Sequence, residues 1–165
     1  MDRWYGRGAK AAAIGCAALL VAASGPRIAA AQSTVDATVP EEIMNIARGF
    51  GSASLETDSQ GDPKVSGRID GVRYNVFFYD CTDNKACESI QFSAAWRRGD
   101  VEVPLAKMNE WNRSKRYGVA FLDNEEDPVI QMDVNLEHGV TRRNLDETFR
   151  LWTTVLSQFE SHVGL

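Results

Sequence analysis

The sequence predicts an α+β domain whose helices pack on one face of a single antiparallel sheet of about six strands, in the order α-β-β-β-β-α-β-β-α. Three observations carry that reading. Apolar residues recur at helical steps near the start, middle and end of residues 38–165, and between those stretches the period falls to two. Breaks bearing glycine or aspartate then cut the two-period stretches into strand-length runs. At 44% hydrophobic and 25% charged residues, the chain has the composition of a globular domain and not of a disordered one.

The first helix is expected after Thr38 as cap, with Pro40, Glu41 and Glu42 in its first turn and Val39, Ile43, Ile46 and Phe50 on its apolar face. Residues 32–37 ahead of it have no period and read as a flexible lead. From Ser52 to Trp96 four strands follow as an antiparallel meander, broken at residues 61–63, at Asp70 and Gly71, and between Cys81 and Cys87. Val72, Tyr74, Val76 and Phe78 share one face of their strand, as do Ile90, Phe92, Ala94 and Trp96 of the next. A second helix is expected over residues 104–116, with Leu105, Met108 and Trp111 on one side. Two strands then flank the acidic turn 123–127. Tyr117, Val119 and Phe121 alternate in the first, and Ile130, Met132, Val134 and Leu136 in the second, so that one face meets a core and the other water or a partner. The last helix, about residues 142–162 behind the cap Thr141, repeats Leu145, Phe149, Trp152, Leu156, Phe159 and Val163 at steps of four and three.

Residues 1–31 carry a different pattern. Arg3, Arg7 and Lys10 precede an apolar run from Ala11 to Ala23, and Ser24, Gly25 and Pro26 break it. Ala29 and Ala31 then supply the small pair that signal peptidase accepts, placing the cut between Ala31 and Gln32. The run of 13 residues is short of the roughly 20 that a spanning helix needs. A lipoprotein cysteine at Cys16 would have Ala13 where leucine is preferred and hardly any apolar region before it. The sequence therefore predicts a periplasmic or secreted protein with no stable membrane insertion after cleavage. Removing residues 1–31 takes four basic residues and one acidic residue, so the formal charge of -5 becomes -8. So acidic a chain is a poor nucleic-acid ligand.

Cys81 and Cys87 remain as an even pair between two strand-like flanks. In an oxidising compartment a structural bridge clipping the hairpin is the expected arrangement. The alternatives are a reversible redox pair or a metal site, but the spacing is not that of a CxxC motif and no further soft ligand lies near. No GxSxG, GxGxxG, HExxH or phosphate-binding loop is present, and His138 and His162 are the only histidines. The acidic run from Asp123 to Asp127 lacks the alternate ligands and central glycine of a calcium loop. No enzyme activity, cofactor or metal is expected. Trp96, Trp111 and Trp152 lie in register with core stripes; contact with a partner is the other use of such residues.

The run from Gly61 to Pro128 resembles the YbjN-type domain family, bacterial sensory transduction regulators. Gly61, Asp62 and Pro63 carry the likeness, with Tyr74, Val76, Phe78 and Tyr79 beside the two cysteines, residues 90–96, residues 107–112 with Arg116, and the stretch from Asp127 to Val134. The resemblance implies a fold similar to that of type III secretion chaperones, twisted sheets with helices that commonly dimerise and hold other proteins. It implies a regulatory or interaction role; with the one-sided strands, the long apolar helix and the missing active-site motifs, the expectation is a non-enzymatic module, a homodimer with an unidentified protein partner. Trp111, Trp152, Arg73 and Arg97 are the candidate contact residues. A small-molecule sensor is the alternative, using Arg73, Asn75, Gln91 and Arg97 on the polar face of the sheet.

Overall fold

In the computed structural model, residues 33–97, 99 and 102–165 are described. The expected signal peptide and the expected cleavage site at Ala29, Ala31 and Gln32 lie outside them. The elements run β1 (Thr34–Val35), α1 (Pro40–Ala47), β2 (Ser52–Thr57), β3 (Pro63–Ile69), β4 (Val72–Tyr79), β5 (Ser89–Ala95), α2 (Leu105–Ser114), β6 (Val119–Leu122), β7 (Pro128–Asn135), β8 (Val140–Thr141) and α3 (Arg142–Val163). Six strands form one antiparallel sheet in the order β2-β3-β4-β5-β7-β6, and β1 pairs with β8. The α+β class and the order of its main elements are as the sequence predicts.

The meander is set by its turns. Asp70 and Gly71 both have positive φ, 48° and 93°, the geometry of a two-residue hairpin turn that matches strand twist. That turn fixes the β3–β4 register and places Arg68 opposite Arg73. Alternation then puts Val65, Val76, Phe92 and Met132 in one row on the core face, under the helices. Helix α3 supplies Leu145, Phe149, Trp152, Leu156, Phe159 and Val163, all buried. Thr141 caps it by accepting from the Asn144 N–H at 3.1 Å. Phe149 meets Phe92 edge-on at 4.9 Å and stacks on Phe50 at 5.4 Å, which joins sheet, α3 and the end of α1 in one cluster.

Four local expectations are corrected. Residues 33–37 are not a flexible lead: Thr34 and Val35 pair with Thr141 and Val140, and Val35 and Ala37 are buried. Thr38 does not cap α1, because its N–H turns to Asp36 Oδ1 at 2.9 Å and the cap position falls on Val39, which is exposed. Leu105 points outward at the start of α2, leaving Met108 and Trp111 as its buried residues. In β6 the faces are reversed. Ala120 is core-facing while Tyr117, Val119 and Phe121 are exposed, because Ile130 and Val155 leave no room for a large side chain behind Gly118.

The two outer strands end differently. In β6 the Asn112 amide of α2 holds both backbone groups of Ala120, donating to its carbonyl at 2.9 Å and accepting from its N–H at 2.8 Å. The Trp111 indole donates to the Gly118 carbonyl at 3.0 Å. In β2 the Asp58 N–H bonds inward to the Asp62 carbonyl, so by alternation Ala53, Leu55 and Thr57 turn their backbone groups outward. Arg48 Nε takes the Ala53 carbonyl at 3.1 Å, and Leu55 and Thr57 keep the outward run of β2.

Tyr74 lies across Gly67, whose Cβ would stand 2.6 Å from the ring, and its hydroxyl is buried without a hydrogen-bond partner. Burial pushes the phenol up from 10.0 to about 12. The fold thus favours the neutral form: its stability is intact below pH 10 and falls as pH rises through the folded pKa, by about 3 kcal/mol at the limit. Tyr74→Phe is expected to abolish most of that alkaline loss and to be no less stable at pH 7, since the hydroxyl bonds to nothing. Urea unfolding at pH 8 and pH 11.5 measures both; an unchanged alkaline loss in the variant would assign it to another group.

Candidate interaction site

The three helices of the described residues share the core face of the six-stranded sheet, and among those residues no helix covers the opposite face. Register defines three rows on that open face. Ser54, Ser66, Asn75, Ser93, Gln131 and Val119 form the middle one, Ser52, Arg68, Arg73, Ala95, Val129 and Phe121 the second, and Glu56, Lys64, Phe77, Gln91 and Asp133 the third. Between β2 and β5 the face is concave, enclosing about 660 Å³ over Ser52, Ser54, Ser66, Arg68, Arg73 and Asn75.

Hydrogen bonds tie the polar rows together. Ser66 Oγ contacts Glu56 and Asn75 at 2.9 Å each, Lys64 lies 3.2 Å from Glu56, and the Gln91 amide donates to Asp133 at 2.7 Å. The hydroxyl of Ser66 and the ammonium of Lys64, with Ser54, hold the Glu56 carboxyl below its ordinary range. Burial raises the Tyr79 phenol on the same face, helped by the charges of Asp133 and Asp58. Among the described residues no cluster of histidine, cysteine and carboxylate side chains is arranged to hold a metal.

The candidate residues separate cleanly. Arg73 is exposed on the open face and Arg97 is exposed just past β5, so both are available to a ligand. Trp111 and Trp152 are 1% and 0% exposed. They are core side chains packed on Phe159 and Phe92 and cannot touch a partner while the domain is folded. Arg68 was not singled out by sequence reasoning; the two-residue Asp70–Gly71 turn was the signal that would have found it, since such a turn pairs residues 68 and 73. His162 Nε2 donates to the Lys107 carbonyl, 2.8 Å away, and links α3 to α2, while the His138 side chain is 90% exposed.

The Cys81–Cys87 pair is bridged. Its loop is pinned to the β2–β3 turn, where the Asn84 amide donates to Asp62 Oδ1 at 2.8 Å and to the Gln60 carbonyl at 3.2 Å. Closing so short a loop restricts the unfolded chain by about 2 kcal/mol. Replacing both cysteines with serine is expected to lower the melting temperature by several degrees and to leave the open face intact. Calorimetry of the oxidised protein and the variant decides; equal melting temperatures would deny the bridge a stabilising role.

No helix among the described residues is long and apolar enough to cross a membrane. No curated protein matches the chain by sequence. A solved structure described as "Crystal structure of YbjN, a putative transcription regulator from E. coli" is similar over 79% of this chain and 89% of that one, with a TM-score of 0.50 and 21% sequence identity, a likeness of fold. The family described as "Putative bacterial sensory transduction regulator", YbjN, matches residues 40–165, and over that span, which takes in every described helix and the whole six-stranded sheet, the chain belongs to the YbjN family.

Proposed function

We propose that the protein is a non-enzymatic regulatory module of the bacterial envelope that docks another protein on the open face of its sheet. It is exported, cut after Ala31, and works as a homodimer. The carrying observation is the one-sided distribution of the helices. A six-stranded sheet with one face that no helix of the described residues covers, bearing Tyr79, Phe121, Arg68 and Arg73, offers a broad, shallow surface with both charge and aromatic anchors. The motif-poor sequence and the family's regulatory description support the same reading.

A photo-crosslinking phenylalanine analogue tests it. Placed at Tyr79 or at Phe121, each 37–43% exposed on the open face, the analogue replaces an aromatic ring at little structural cost. At Leu105, 59% exposed on α2, it serves as the control. In cells, adducts to another protein are expected from the first two positions and not from the third. Adducts from Leu105 alone, or none from the open face, would overturn the reading. A small-molecule sensor is the second reading, favoured by the serine- and asparagine-lined concavity between β2 and β5. A metabolite that raises the melting temperature in wild type but not in Asn75→Leu would support it.

A further inference from the structure

We infer that the open face takes a partner segment with carboxylates at one end and a large apolar side chain at the other, laid across the strands; this rests on the protein-docking reading above. Arg68 and Arg73 stand directly opposite each other on adjacent strands, an arrangement of like charges that costs stability unless something neutralises it. Among the described residues neither has a carboxylate within ion-pair distance. The other cation of this face, Lys64, is already paired with Glu56, and Asp133 accepts a hydrogen bond from Gln91. The Arg68 guanidinium is held by the Gly71 carbonyl, so part of its planar fork is fixed in advance for a carboxylate.

The row that carries the two arginines continues through the exposed Ala95 and the buried Val129 to the exposed Phe121, and Val119 stands beside it in the middle row. Ala95, Phe121 and Val119 are exposed, with Val119 at 61%. Arg73 and Phe121 are three strand intervals apart, about 14 Å at the usual spacing. An extended segment covers that span with roughly four residues. The concavity favours a polypeptide over a small anion. Its open side would leave a small ligand largely hydrated, whereas binding pockets for such ligands bury most of their surface. A segment brings its own cover.

The test is selection of a displayed library of random dodecapeptides on the full-length processed protein, in parallel with Arg68→Glu/Arg73→Glu and the neutral Arg68→Gln/Arg73→Gln. Wild type is expected to enrich paired acidic residues followed about four positions on by an aromatic or large aliphatic one. Enriched peptides should bind the neutral variant at least about tenfold more weakly and lose affinity as salt rises. The charge-reversed variant should enrich lysine or arginine in place of the acids. Phe121→Ser should weaken the wild-type peptides while leaving their charge preference. Circular dichroism melts establish that each variant is folded. Wild-type enrichment without acids, identical enrichment on the reversed variant, or no enrichment at all overturns the inference. If the inference fails while crosslinks still form from Tyr79 and Phe121, the docking reading stands and only its chemistry is wrong; if both fail, the reading itself falls.

Discussion

Replacing Trp111 with alanine is expected to cost about 3–5 kcal/mol and to lower the melting temperature by about 10–20 °C. The indole is 1% exposed, lies edge-on to Phe159 at 5.2 Å and against His162 at 5.6 Å, and donates to the Gly118 carbonyl at 3.0 Å. Truncation therefore empties a packed volume and orphans a carbonyl that faces α2. Leu105→Ala, on the exposed side of the same helix, is expected to change stability by less than about 0.5 kcal/mol. Denaturant unfolding of the pair separates the two uses of a tryptophan. A hot-spot residue would show weakened partner binding at near-normal stability, and that result at Trp111 would contradict its burial.

The second large effect is expected at Gly118. Its φ of 80° lies where side-chain-bearing residues are strained, and a Cβ there would meet Ile130 Cδ1 at 2.9 Å and Val155 Cγ1 at 3.3 Å. Conformational strain of about 1–2 kcal/mol and overpacking of about 1–3 kcal/mol together predict a loss of about 2–5 kcal/mol for Gly118→Ala. Gly71 separates the two contributions. Its φ is 93° but nothing lies within 4 Å of its Cβ position, so Gly71→Ala should cost only the conformational part. Urea midpoints with unchanged slopes measure the difference. Equal losses at the two sites would show that Ile130 and Val155 yield without cost. Because Trp111 bonds to Gly118, the Trp111→Ala/Gly118→Ala combination should not be additive.

Long periodic elements were legible in the sequence because many residues repeat one message. All six core positions of α3 are buried as the stripe predicts, and the Asp70–Gly71 break marks the β3–β4 turn. Strand β6 was misread for a physical reason. Tyr117, Val119 and Phe121 alternate as well as any core row, and alternation alone does not say which face is covered. The face was decided at a distance by Ile130, Val155 and α2, against which only Gly118 and Ala120 fit. Strands β1 and β8 have two residues each, too few to express a period. Of the contact residues, Arg73 is where alternation put it, on the open face. Trp111 and Trp152 were ambiguous because tryptophan serves cores and interfaces alike; Arg68 became visible only through its register with Arg73.

The Asn112 clamp on Ala120 sets a limit on how copies of this chain can join. An unpaired strand edge is a growth site, and a sheet with one at each end can add copies indefinitely into a fibre. Here α2 caps one end, leaving the sheet, among the described residues, a valence of one. Two copies pairing through β2 would consume each other's remaining valence, and the product would be a two-fold pair with both outer ends capped by asparagine. A single carboxamide thus acts as a chain terminator: strand pairing between copies would stop at two.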